Sequence, residues 1–123
     1  MKMRILITIY TLLFATIVNA APSINIKKNM PYDQARALLI ANNWKPEPLK
    51  NRDPSFEGCG TSDELYDRLC RKYPEFDGGC GHVCDMYFID SKSKKKLRVM
   101  TNHNDLYDSK PVKGFVTGWE NIK

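Results

Sequence analysis

Strict alternation of apolar and polar positions marks the second half of the chain. In Asp85 to Asp90, Met86 and Phe88 share one face while Tyr87 and Ile89 share the other; in Lys96 to Asn102, Leu97 and Val99 oppose Arg98 and Met100. Period two is the signature of a strand with one buried face. The polar run Ser91 to Lys95 between the two stretches makes them an antiparallel hairpin. A third strand is predicted from Val112 to Glu120, with Phe115, Thr117 and Trp119 on one face.

The first half follows helical spacing instead. Ala35, Leu38, Leu39 and Asn42 fall on one stripe beneath Tyr32, which predicts a helix over about Pro31 to Asn42. Pro31 suits its first turn, Asp33 complements the positive end of the dipole, and Asn43 takes a left-handed cap. Ile24 and Ile26 alternate as a short edge strand before it. Trp44-Lys45-Pro46-Glu47-Pro48 must be extended and cannot join a central strand, because proline supplies no ladder donor. Trp44 is expected to pack back on the helix.

Leu49 to Gly60 is rich in Pro, Asn, Asp and Gly and reads as a surface loop. Thr61-Ser62-Asp63-Glu64 then starts a second helix that carries Leu65, Tyr66, Leu69 and Cys70 at helical spacing and ends near Lys72, before Tyr73-Pro74. Asp77-Gly78-Gly79-Cys80-Gly81 reads as a flexible bend. Helices first and strands afterwards, with no βαβ alternation, predict an α+β domain: two helices packed on a three- to four-stranded antiparallel sheet.

The N-terminus has a different character. Lys2 and Arg4 precede an apolar run, Ile5 to Val18, that is too short for a stable membrane span, and Val18-Asn19-Ala20 presents small residues to a signal peptidase. Residues 1–20 are therefore read as a leader cut after Ala20 or Ala21. Residues 21–123 then form one small domain, periplasmic or secreted, with no stable membrane insertion after cleavage. The leader accounts for two of the five net positive charges. The remaining imbalance sits largely in Lys92, Lys94, Lys95, Lys96 and Arg98 at one hairpin tip, with no interleaved aromatics, so no nucleic-acid partner is expected.

Four cysteines, Cys59, Cys70, Cys80 and Cys84, lie in a C-x10-C-x9-C-x3-C pattern. An even count in a small exported chain predicts disulfides. Pairing Cys59 with Cys70 and Cys80 with Cys84 is favoured because each pair brackets a local feature, and the crossed connectivities stay open. A zinc site from Cys80, His82, Cys84 and His103 is disfavoured by ligand spacing and by an oxidising compartment, so no metal and no cofactor is expected.

Two groups of residues resemble signatures of small exported proteins of Gram-negative bacteria, a functionally uncharacterised group. The first is Met30-Pro31-Tyr32 with Ala35-Arg36, Leu38-Leu39, Trp44 and Pro46. The second is Tyr73-Pro74-Glu75, a Cys-Gly run, Cys84, the aromatic strand at Tyr87-Phe88, Leu97-Val99-Thr101 and Trp119. The resemblance implies a periplasmic home. Where the group more often has glycine this chain has Asn43, and the Cys59 to Cys70 segment looks like an addition. The order of helices before a sheet is also similar to the repeat unit of β-lactamase-inhibitory proteins, an analogy of architecture alone.

Neither G-x-S-x-G nor H-E-x-x-H occurs. A catalytic reading, as a small secreted hydrolase, would have to assemble His82 or His103 with Asp85, Asp105 or Asp108, and no spacing supports it. The chain is thus expected to be no enzyme. A braced exported domain fits an inhibitor or immunity-type protein that blocks a toxin or envelope hydrolase. The aromatic and loop residues Tyr66, Tyr73, Phe76, His103 and Tyr107 are the expected partner contacts. The alternative is capture of a small ligand or peptidoglycan fragment beside the sheet.

Overall fold

A computed structural model describes residues 22–60, 64–80, 83–103 and 113–122. Along the chain, α1 (Tyr32–Ala41), β1 (Trp44–Pro46), α2 (Leu49–Arg52) and α3 (Glu64–Lys72) precede β2 (Phe76–Cys80), β3 (Cys84–Asp90), β4 (Lys96–Asn102) and β5 (Phe115–Ile122). The α+β class is as expected. The described residues hold three helices and five strands rather than two and three or four.

The sheet is antiparallel throughout, with β1, β3, β4 and β5 in that order and β2 also paired to β3. β1 and β2 lie end to end on one edge of β3. Trp44 to Pro46 faces Asp90 to Phe88, and Phe76 faces Met86. They meet at Tyr87, whose carbonyl accepts from Glu47 N at 2.9 Å and whose N–H donates to the Glu75 carbonyl at 3.0 Å. Pro46 thus joins the sheet as an edge residue, where its missing donor costs nothing.

On the other side the lead-in covers the start of β5. Asn29 N donates to the Val116 carbonyl at 2.7 Å, and Val116 N donates to the Met30 carbonyl at 2.8 Å. Ile24 and Ile26 form no strand; Ile26 is buried and Ile24 packs against the core.

The inner face is the one that alternation predicts. Cys84, Met86 and Phe88 on β3 and Leu97, Val99 and Thr101 on β4 are buried. They pack with Tyr32, Ala35 and Leu39 of α1, Leu69 of α3, Trp44, Tyr73 and Phe76. Asn43 takes the left-handed conformation (φ 69°) that turns the chain from α1 into β1. Trp44 has no exposed surface, as its expected return to the helix requires.

The face assigned to β5 needs correction. Val99 faces Trp119, and Met100 faces Gly118, but Thr101 faces Val116, so Thr117 is an extra residue in the ladder. A bulge of one residue reverses parity. Val116 is buried and Trp119 packs against the core, while Phe115 and Thr117 are exposed. Two further expectations change. One turn of helix, α2, occupies part of the predicted loop from Leu49 to Gly60, and the glycine-rich bend at Asp77 to Cys80 is strand β2.

The cysteines pair as favoured, Cys59 with Cys70 and Cys80 with Cys84, with Cα atoms 5.7 and 4.5 Å apart. Among the described residues no helix is long and apolar enough to cross a membrane. The expected leader and the expected Thr61–Asp63 helix start lie outside the described residues.

Candidate functional site

The two halves of the residue pattern quoted above meet in space. Tyr32 and Arg36 stand one turn apart on the same face of α1, and both reach Glu75, which has no exposed surface. The Tyr32 hydroxyl donates to Glu75 Oε1 at 2.7 Å and Arg36 Nε donates to the same oxygen at 2.5 Å. Beside them the Tyr73 hydroxyl donates to Asp33 at 2.5 Å, and its ring meets that of Tyr32 edge-on with centroids 4.9 Å apart.

Burial first, and then the Glu75 charge, hold the Tyr32 phenol well above its ordinary pKa. Burial and then Asp33 do the same for Tyr73. Burial pushes Asp33 up, but the Tyr73 hydroxyl and the Lys72 ammonium outweigh it and leave the carboxyl below its usual range. Phenols held protonated are donors, and these donors are spent on carboxylates from α1 and from the turn that precedes β2. The cluster clamps α1 against the α3–β2 connection.

His103 sits below this clamp, its ring centroid 6.4 Å from that of Tyr32. Thr101 Oγ1 donates to the Cys84 carbonyl at 3.3 Å and lies 2.9 Å from His103 Nε2. Where Thr101 gives its proton to the carbonyl, it accepts from the imidazole, and the ring proton then sits on Nε2. Nδ1 is then a buried acceptor with no partner among the described residues. Burial pushes the imidazole down to about 4, so the ring is neutral at pH 7.

The ladder places two connections at one end of the sheet. Cys80 faces Cys84, Cys84 faces Thr101, and Thr101 faces Val116. The disulfide-closed turn after Cys80 and the segment after His103 therefore leave from neighbouring strand ends. Each is pinned at its base. The Tyr66 hydroxyl donates to the Cys80 carbonyl at 2.5 Å while its ring stacks on Phe76, with centroids 6.2 Å apart. The His103 ring fills the space that a side chain at Gly114 would need. Two of the three large apolar side chains exposed among the described residues, Val83 and Phe115, sit at this end.

The outer face of the sheet carries charge. Arg98 on β4 lies 3.8 Å from Asp85 on β3 and pairs with Glu120 on β5, while Arg52 stacks 3.7 Å over the Tyr87 ring and reaches Asp77 at 2.7 Å. Burial raises the Asp85 carboxyl against the pull of Arg98.

The expected contact residues are accordingly redistributed. Tyr73, Phe76 and His103 are each no more than 3% exposed and pack in the interior. Tyr66 is half-buried and holds Cys80. Tyr107 lies outside the described residues, as do His82, Asp105 and Asp108. His103 and Asp85 stand on opposite faces of the sheet and form no pair. Val83, Phe115 and the Glu75 cluster were not singled out as a site by sequence reasoning. The resemblance pattern held the one available signal, since Tyr32, Arg36, Tyr73 and Glu75 all occur in it. In comparison with known proteins the chain matches no family model, no curated protein and no solved structure.

Proposed function

We propose that this chain is an exported binding protein of the inhibitor or immunity type. It blocks a protein target, a toxin or an envelope hydrolase, with the end of the sheet that carries Val83, Phe115 and the segment following His103. The observation that supports this reading is the concentration of exposed apolar side chains beside two connections whose bases are fixed, one by a disulfide and Tyr66, the other by His103 and Gly114. A rigid base limits the entropy lost on docking, which is how a small surface reaches useful affinity. In this arrangement Tyr66 and His103 are positioning residues, and Tyr107 is the expected contact within the loop.

The test uses the exported, oxidised protein with a photo-crosslinker at Val83 or Phe115, presented to its own periplasmic extract. Recovered partners are then measured in purified form against wild type and Val83→Asp/Phe115→Asp. A hot-spot loss of about 2 kcal/mol corresponds to roughly thirtyfold weaker binding with unchanged melting temperature. Equal binding by the double variant removes this end from the interface. Saturable binding of a peptidoglycan fragment, with no protein partner, replaces the reading with ligand capture.

A further inference from the structure

The opposite end of the sheet is built differently. The β3–β4 turn holds Lys92, Lys94 and Lys95, all exposed, and is closed by its own hydrogen bonds. Asp90 accepts from the N–H groups of Lys92 at 3.3 Å and Ser93 at 3.1 Å and from the Ser93 hydroxyl at 2.5 Å. Two backbone bonds close the turn, Lys94 N to the Asp90 carbonyl at 2.8 Å and Asp90 N to the Lys95 carbonyl at 2.9 Å.

Lys94 adopts φ 61°. That left-handed region suits Gly or Asn and penalises a lysine Cβ. A long cation is thus kept where a shorter residue would fit the backbone better, and backbone strain of this kind gathers at functional positions.

The neighbouring row of the outer face supplies the second observation. Lys45 faces Ile89, Ile89 faces Lys96, and Lys96 faces Ile122, so cations alternate with aliphatic side chains across four strands. Ile89 and Ile122 are half-exposed. Lys96 is neutralised by Glu47 at 3.0 Å, whereas Lys45, Lys92, Lys94 and Lys95 make no ion pair among the described residues.

We propose that this end of the sheet is a docking surface for an anionic phospholipid bilayer. Cations beside aliphatic side chains match lipid phosphates above acyl chains, and the row lacks the interleaved aromatics on which bases would stack. The contact is peripheral: the lysines meet headgroups and the isoleucines reach the interface without spanning it. The inference is independent of the inhibitor reading.

The test is co-sedimentation of the exported, oxidised protein with phosphatidylcholine vesicles, with and without roughly a third phosphatidylglycerol. Binding is expected only to the anionic vesicles, and it weakens as salt rises from about 0.1 M to about 0.5 M. Lys94→Asn keeps the left-handed backbone and removes one charge, so partitioning should fall roughly fivefold while the melting temperature holds or rises. Lys92→Asn/Lys94→Asn/Lys95→Asn should lose roughly a hundredfold. Equal partitioning by the triple variant overturns the proposal. Equal binding to neutral vesicles, or tighter binding to a soluble polyanion such as single-stranded DNA, overturns it as well.

Discussion

Gly114→Ala isolates the packing that fixes the base of the β4–β5 connection. Gly114 lies outside the left-handed region, so its backbone accepts an L side chain without strain. The obstacle is the neighbour. A Cβ there would lie 2.1 Å from His103 Cε1 and 2.4 Å from Nδ1, where ordinary carbon contacts need about 3.5 Å. The ring has no room to retreat, because it is buried between α1 and the sheet and tied to Thr101. Overpacking of this kind costs about 3 kcal/mol, the upper part of the usual range. In a domain of this size that lowers the melting temperature by roughly 12 to 24 °C.

His103→Ala alone is destabilising through the cavity it leaves, but a methyl at position 114 then grows into vacated space. The double variant His103→Ala/Gly114→Ala should therefore be more stable than the sum of the singles by at least about 1 kcal/mol. Urea denaturation of the four proteins measures the cycle. If the two changes add within about 0.5 kcal/mol, the imagined collision does not exist and the pinning of this connection by His103 is wrong.

Three further outcomes follow from the same interior. The unfolded chain protonates His103 near its ordinary 6.5, whereas the folded chain resists until about 4, so the contribution of this residue to stability is complete above 6.5, falls by about 3 kcal/mol between those values and does not change further below; urea midpoints against pH should show this slope, and His103→Gln should remove it. Arg36→Met leaves the Glu75 carboxylate buried with Tyr32 as its one side-chain donor among the described residues and should cost about 2 to 3 kcal/mol in denaturant, whereas Arg71→Ala breaks an exposed pair with Asp67 and should leave the midpoint unchanged. Replacing Cys59 and Cys70 by alanine should cost about 3 kcal/mol, and replacing Cys80 and Cys84 about 2, in line with the longer and shorter loops they close; a larger loss from the second pair would show that the β2–β3 turn depends on its crosslink for more than chain entropy.

The elements legible in the sequence are those whose periodicity repeats over two or more cycles. Ala35 and Leu39 announce α1, and the alternation of Met86, Phe88, Leu97 and Val99 announces the hairpin, because burial on one face leaves a regular trace. Helix α2 is a single turn between a proline and an aspartate, too short to show a period. Strand β2 is extended through its pairing with β3, where Phe76 faces Met86, against the preference of Asp77-Gly78-Gly79 for a turn, and a partner strand that lies beyond the bend leaves no local mark. Thr117 is an ordinary strand residue, and only the register with β4 reveals it as surplus.

The candidate site was legible to a smaller degree for a related reason. Polar neighbours made Tyr73 and His103 look exposed, but the groups that meet them in the interior, Asp33 and Tyr32 for the first and Tyr32 and Gly114 for the second, come from other segments. Burial of a tyrosine depends on whether its hydroxyl finds a partner, and here the partner is forty residues upstream. Val83 and Phe115 carried no warning, since an exposed apolar residue gains meaning only from where the ladder puts it.

Glu47 and Glu75 both bond to Tyr87 from the same side. The chain thus departs from the rim of β3 and comes back to it within the span of one residue, and everything from Pro48 to Pro74 is a detour whose length the sheet does not sense. That stretch can lengthen, shorten or acquire a new crosslink while the hairpin keeps its registry, provided that Leu69 and Tyr73 still reach the interior and that Arg52 and Tyr66 still reach Tyr87 and Cys80. Diversity among chains built on this plan should accumulate in the detour, leaving the strands it interrupts as the constant frame.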